Sequence, residues 1–257
     1  MNEAGTAVVP PTGEVPPAPL ERSFWPVVAL LAAVMVLFEW SDVDLALQDR
    51  FFDFATQRWL VDGRAPVPRW WFYTAPKIVL AVSGAGLLVI ALGAASWRRW
   101  CRGSSGSGRR ELLVVVATLA SGPALIGIGK AVTNVFCPSE IRRYGGDVAY
   151  VPLCGTFPEG DRPARRGRCF PAGHASGGFA LLSLAGLART RRGQAWGVAA
   201  GLAAGWTMGL YQMFKGAHYL SHTLVTMLVV WLVFLAWRRI FGLAGPRVRR
   251  ERGTSAG

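Results

Sequence analysis

Apolar residues in this chain come in long unbroken runs, unlike the alternation of a half-buried strand or the one-sided stripe of a surface helix. Six runs approach twenty residues with few charges, at residues 24–40, 75–97, 112–128, 172–187, 196–214 and 223–241. Crossing a hydrocarbon core of about 30 Å takes about 20 helical residues, so the pattern predicts six membrane-crossing helices. The fourth run is the weakest, short and rich in glycine, and it crosses because the chain must return between its neighbours. The expected class is all-α: a polytopic membrane helix bundle filling residues 23–242. Residues 1–22, rich in Pro and small side chains with no apolar period, read as a flexible tail. They are unlike a cleavable signal, because the first basic residue is Arg22 and the run behind it is long enough to stay in the bilayer. Residues 243–257 read as a basic tail.

Two connecting segments carry their own patterns. Residues 42–74 interleave Leu45, Leu47, Phe51, Phe52, Phe54 and Trp59 with acids and arginines, which predicts an amphipathic helix lying in the interface. Trp70, Trp71 and Tyr73 belong at headgroup level, and the segment as a whole reads as an anchor. Residues 131–171 form an Arg-rich loop.

Composition agrees with a membrane protein. Of 257 residues, 52% are hydrophobic and 17% charged, with a mean hydropathy of +0.32, which excludes an ordinary soluble domain, a disordered chain and a collagen repeat. The net charge of +13 would by itself admit nucleic acid, anionic lipid or phosphate as partner. Position decides. With both termini cytoplasmic, the inner tails and turns hold 15 basic and 5 acidic residues, a net of +10, and the outer segments hold 13 and 10, a net of +3. Positive residues gather on the cytoplasmic side of membrane proteins, so topology accounts for most of the charge and nucleic acid is not needed. Four cysteines without a CxxC pair offer neither a disulfide scaffold nor a structural zinc site.

Candidate chemistry gathers on the outer side. The chain has three histidines, His174, His218 and His222, each at the outer end of an expected span. Ionisable groups in that position are functional candidates. In GKAVTNVFCPSE, Lys130 ends an apolar run, and Asn134 and Cys137 follow on the same helical face before Pro138 stops the helix. Lys130 is one of only three lysines beside 25 arginines, which points to a need for a compact ammonium. In RCFPAGHASGG, the small residues around Gly173 leave backbone N–H groups at a helix start open to an anion, with His174 presented beside them. In QMFKGAHYLSHTL, a helix would bring Gln212, Lys215, His218 and His222 onto one face, with Gly216 as a point of bending.

In order, these elements resemble the three-part signature of the type 2 phosphatidic acid phosphatase (PAP2) superfamily, in a divergent bacterial branch. That signature is a Lys ending a helix before an X-Pro pair, then P-(S/A)-G-H, then a His followed four residues on by Asp. The match uses residues 130–222, and the core fold is shared with bacterial acid phosphatases and vanadium haloperoxidases. The resemblance implies metal-free phosphoryl transfer through a phosphohistidine, with no cofactor. His218 would be the nucleophile and His174 the general acid; Lys130 and the N–H groups at Ala172 and Gly173 would hold the phosphoryl oxygens. The side chains suit this independently: a phosphate ester needs fixed positive charge, an uncharged nucleophile and a proton donor.

Three positions depart from the family pattern. Cys137 and Gln212 stand where the family has Arg, and His222 stands where it has the Asp that orients the nucleophile. Lys215 is the candidate replacement for one guanidinium, and Arg142, Arg143 or Arg168 for the other. Asp147 or Glu140 is the candidate orienting carboxylate. Cys137, Cys154 and Cys169 share the outer loop, and a Cys137–Cys169 disulfide would clip the phosphate-binding elements together; a bond from Cys154 to either, and free thiols, are the alternatives. Cys101 is expected unpaired.

The expected function is hydrolysis of a lipid phosphate at the outer face of a bacterial inner membrane. The lipid is of the polyprenyl diphosphate, lipid A or phosphatidylglycerol phosphate class. Transfer of the phosphate to another lipid is open on the same site. A zinc-dependent hydrolase using His218 and His222 at i and i+4 with His174 is a second reading. It leaves Lys130 and the PAGH element without a role. A non-catalytic lipid-binding protein that kept the fold is a third, and a vanadate-using oxidase a fourth.

Overall fold

A computed structural model describes residues 23–93 and 107–243. The expected tail 1–22, most of the basic tail and the inner loop containing Cys101 lie outside the described residues. Among the described residues, eight α-helices follow in chain order: α1 (Phe24–Glu39), α2 (Val43–Gln48), α3 (Pro66–Arg69), α4 (Ala75–Leu92), α5 (Ser107–Val132), α6 (Gly173–Ala180), α7 (Arg191–Phe214) and α8 (Leu220–Ile240). A π-helical stretch, Trp70–Thr74, joins α3 to α4, and a 3₁₀ helix, Leu181–Leu187, continues α6.

Three helical stretches among the described residues are long and apolar enough to cross a membrane: Pro66–Ile90, Gly108–Val132 and Leu220–Ile240. The pair Phe24–Glu39 and Val43–Phe51, bent by 79°, makes a fourth if it counts as one crossing. The expected count of six is therefore reached only in part. The fourth apolar run divides into an 8-residue α-helix and a 7-residue 3₁₀ helix, short of a full span. The fifth forms a continuous 24-residue helix, α7, whose glycines and paired arginines dilute its hydropathy. Large apolar side chains on the outside, among them Val79, Val82, Val89, Ile128 and Ile240, are more than half exposed, as suits helices facing lipid.

The core is built around α6 and its 3₁₀ continuation, which pack against α5, α7 and α8. Phe179, Ala175, Ala180 and Leu182 from this element meet Ile126 and Val230 in one fully buried cluster. Glycines on α7 let the backbones approach. A Cβ on Gly201 would lie 2.3 Å from the Leu182 nitrogen, and one on Gly205 would lie 2.1 Å from the Phe179 ring. Small residues at close helix contacts replace the missing hydrophobic drive inside a bilayer with van der Waals contact.

The outer segment departs from a single interfacial helix. After α2, a 3₁₀ turn (Asp49–Phe51) leads into a two-stranded hairpin, β1 (Phe52–Asp53) and β2 (Arg58–Trp59), with Phe52 opposite Trp59. Asp53 closes the hairpin turn by accepting from the Ala55 and Thr56 N–H groups and the Thr56 hydroxyl. Phe52 and Trp59 do not anchor to lipid; they pack on Ile141, Tyr144 and Val148 of the long loop. The buried face of α2 is polar. Gln48 donates to the Met213 carbonyl at 2.7 Å, and the Asp44 carboxylate accepts from the Ser221 N–H at 2.9 Å and from its hydroxyl. An acidic side chain from far away in the sequence thus occupies the positive end of α8.

Overpacking the α6–α7 contact is expected to cost more than about 3 kcal/mol, so Gly201→Val should melt well below the wild type in detergent. Gly127→Ala, where nothing lies within 4 Å of the added carbon, should match the wild type or gain up to about 1 kcal/mol of helix propensity.

Candidate active site

Lys130 sits in the last turn of α5, His174 in the first turn of α6, His218 in the connection between α7 and α8, and His222 in the first turn of α8. Packing of these helices on one another brings the three histidines together. The ring centroids of His174 and His218 are 6.2 Å apart, and those of His218 and His222 are 5.7 Å apart. Lys130 reaches across the start of α6: a Cβ on Gly173 would stand 3.0 Å from Lys130 Cε and 3.6 Å from its Nζ, so the lysine stem lies directly against this glycine.

Two local hinges set these positions. The expected face of Gln212, Lys215, His218 and His222 does not form, because α7 ends at Phe214 and Gly216 adopts a left-handed φ of 72°. Trp59 fills the space a side chain on Gly216 would need, the nearest ring atom lying 2.3 Å from a Cβ there. Gln212 is buried in the wall of the bundle, and Lys215 is half-buried with its ammonium over the Tyr73 and Tyr211 rings. Likewise α5 ends at Val132, so Asn134 and Cys137 lie beyond the helix and not on its face. Asn134 Oδ1 instead accepts from the Gly167 N–H at 2.8 Å, and the Cys169 N–H donates to the Val135 carbonyl at 2.9 Å. The loop therefore returns alongside its own start, and Cys137 is joined to Cys169 by a disulfide with Cα atoms 5.1 Å apart. Cys154 is exposed and free.

His218 is 3% exposed. Its Nδ1 lies 3.4 Å from Cys169 Sγ, which leaves Nε2 as the nitrogen available to a reactant. Burial, and then the charges of Lys130, His222, His174 and Lys215, push its pKa well below the ordinary histidine value. The imidazole is thus uncharged near neutral pH, as a nucleophile must be. His222 contacts Phe170 and Tyr219 edge-on, and its Nδ1 has no hydrogen-bond partner among the described residues.

Several expected site residues lie elsewhere. The Ala172 N–H is spent on the Thr226 hydroxyl at 2.8 Å and the His222 carbonyl, so it cannot hold a phosphate oxygen; the same hydroxyl donates to the His222 carbonyl and locks α6 to α8. The N–H groups of the first turn of α6, from Gly173 onward, remain for that role. Arg142 pairs with Asp161, and Arg143 with Asp49, both on the exposed loop, which removes them as replacements for the family arginines. Arg168 is exposed. Asp147 and Glu140 both bind Arg165, and Glu140 also accepts from the Cys137 N–H. Neither carboxylate orients His218.

Sequence reading missed three contributors: Lys77 in the first turn of α4, Tyr73 just before it, and Asp44. The Tyr73 ring lies 4.6 Å from His174 and carries the Lys77 and Lys215 ammonium groups over it at 5.4 and 5.6 Å. All three lysines of the chain therefore lie within electrostatic reach of His174. The scarcity of lysine, which singles out Lys130, is the signal in the sequence that applies equally to Lys77.

A metal has one candidate set among the described residues, Cys169, His218 and His222, with donor atoms within 4.8 Å of one another. Its sulfur is committed to the disulfide, and a disulfide sulfur is not the thiolate that zinc binds. The expected third ligand, His174, is not in the set, so the donors present do not fit a catalytic zinc.

Imidazoles facing ammonium groups at an open helix N-terminus make an arrangement suited to binding an anion such as phosphate. In agreement, the family model of the PAP2 superfamily matches residues 111–245, more than half of the chain and all of Lys130, His174, His218 and His222. The chain belongs to the PAP2 superfamily, whose members are generally phosphatases acting on phosphoric esters. No curated protein and no solved structure matches the chain.

Reduction of the Cys137–Cys169 bond, or Cys169→Ser, should lower stability by about 2–4 kcal/mol, read as a fall in melting temperature. His218 gives stability a defined pH dependence. Its folded pKa is depressed, so below about 6.5 the unfolded chain takes up a proton that the folded one refuses, and stability falls as pH drops. His218→Gln should flatten the loss of melting temperature between pH 8 and pH 5.

Proposed function

We propose that this protein is a membrane phosphatase that removes phosphate from a lipid through a phosphohistidine on His218. The observation carrying the reading is a cavity of about 610 Å³ between α4, α5 and α6. Its mouth holds Lys77, Lys130, Gly173 and His174, and its wall is made of Leu80, Leu88, Val116, Leu119 and Met208. Phosphate-binding groups at one end and an apolar wall at the other suit a substrate with a charged head and a hydrocarbon tail.

In the proposed reaction, His174 takes up a proton as the phosphate anion binds; His218 Nε2 attacks phosphorus, the bond to the leaving oxygen breaks, and His174 delivers that proton to the oxygen. Lys130 and the open N–H groups of α6 hold the equatorial oxygens as charge shifts onto them. Water then attacks phosphorus and gives a proton to His174 as the phosphorus–nitrogen bond breaks, releasing phosphate and restoring His218. His222 stands at the position of the family carboxylate, its ring centroid 5.7 Å from that of His218. The charge asymmetry supports an outer placement of the loop and disulfide with both termini cytoplasmic, and a bacterial inner membrane is the proposed location.

His218→Ala is expected to lower phosphate release from lipid phosphates by about 10³-fold or more. Acid-labile label on the wild type after brief exposure to ³²P-substrate, absent in the variant, checks the intermediate, and chelator should leave the rate unchanged. Unaltered turnover in His218→Ala overturns the mechanism. Filling the cavity with Gly84→Phe, a position open to it, should cut kcat/KM for long-chain substrates more than for a short-chain ester.

A further inference from the structure

We infer that the site holds two phosphate groups at once, and that Lys77, Lys215 and Arg69, arranged around Tyr73, form the second subsite. The inference rests on the phosphatase reading above and narrows its substrate to a diphosphate ester.

The cations at this end of the bundle divide into two groups with His174 between them. Lys130 lies on one side, its stem against Gly173 at the start of α6 and within electrostatic reach of His218. On the other side is Tyr73, whose ring touches His174. The Lys77 and Lys215 ammonium groups and the Arg69 guanidinium lie 5.4, 5.6 and 6.0 Å from that ring's centre, and Lys215 is also 5.0 Å from the Tyr211 ring. Burial and the Arg69 charge lower the Lys215 pKa; no acidic group is among the causes. Among the described residues, none of these four side chains has a carboxylate within 4.0 Å, whereas the loop arginines Arg142, Arg143 and Arg165 all do. Aromatic faces stabilise these cations without neutralising them. Lys77 and Lys130 line the apolar cavity, and Lys215 and Arg69 gather with Lys77 around Tyr73; four cations so placed, with no carboxylate partner among the described residues, call for an anion of more than one phosphate group.

Position gives the two groups different tasks. The phosphoryl group that His218 attacks belongs with Lys130 and the α6 N–H groups. His174 must then face the oxygen that leaves. The atoms next beyond that oxygen fall among Lys77, Lys215 and Arg69, where a second phosphate fits and an uncharged alcohol would waste the charge. In a lipid diphosphate that oxygen is the bridging one: the bond from the terminal phosphorus to it breaks, a bond to His218 Nε2 forms, and His174 supplies the proton. The product is the lipid monophosphate, its phosphate held by the Tyr73 cluster and its tail in the apolar cavity. Water then releases inorganic phosphate from His218.

Binding of inorganic phosphate and pyrophosphate to the purified full chain, measured by calorimetry, tests this without turnover. Wild type should bind pyrophosphate at least tenfold more tightly than phosphate. Lys77→Met should weaken pyrophosphate by about tenfold or more while changing phosphate binding far less, the size expected for one charge-assisted contact. Equal losses for both anions, or no loss, overturn the second subsite. Kinetics with farnesyl diphosphate and farnesyl monophosphate separate this from the parent reading. Hydrolysis of both at similar kcat/KM, insensitive in ratio to Lys77→Met, leaves the phosphatase standing and removes the subsite. Selective pyrophosphate binding without hydrolysis of either lipid keeps the subsite and removes the phosphatase.

Discussion

Everything at the candidate site depends on how closely α6 approaches α7. Gly201 and Gly205 bring the α7 backbone against Leu182 and Phe179, closer than any side chain would allow. This contact sinks a short helix and its 3₁₀ continuation into the centre of the bundle. Once sunk, the first turn of α6 faces Lys130 from α5 on one side and His218 from the α7–α8 connection on the other. Thr226 on α8 fixes the approach by accepting from the Ala172 N–H while donating to the His222 carbonyl. Shape complementarity, and not a strong polar bond, is therefore the first requirement for the polar site.

The site is held in tension between charge and burial. His218 is almost fully covered, and the charged groups acting on it are all bases, so it stays neutral while the ammonium groups around it stay without acids. A folded protein tolerates such an arrangement when an anion is to be bound, because the anion then recovers the Coulomb energy that the empty site forgoes. The acids of the outer loop are engaged structurally: Asp49, Asp161, Glu140 and Asp147 all bind arginine. Asp44 caps α8. Separation of bound acids on the loop from unbound lysines in the cleft gives the outer end its polarity.

Much of this was legible beforehand. The signature residues Lys130, His174, His218 and His222 announced the family, and the structure places all four at one end of the bundle. The apolar runs located α1 and α4 to α8, though not the short α2 and α3. What the runs could not show was which of them were spans. The fourth breaks into two short helices because glycines and serine weaken an α-helix that only tertiary packing sustains. The outer segment misled for a related reason. Amphipathic spacing in residues 42–59 fits an interfacial helix, but Phe52 and Trp59 found a better surface on Tyr144 and Ile141 than lipid provides.

Sequence by itself determined the class of protein, the family and the chemistry available, because each rests on residue type and short-range order along the chain. Tertiary structure alone decided the partners. Arg142 and Arg143 looked as suitable for phosphate as Lys215 until the fold set Asp161 and Asp49 beside them. Ala172 looked like an anion donor until Thr226 took its N–H. Lys77 had no distinguishing context until Tyr73 carried it to His174. Charge pairing acts over a few ångströms between segments that are tens to hundreds of residues apart, and no local pattern in the chain encodes it.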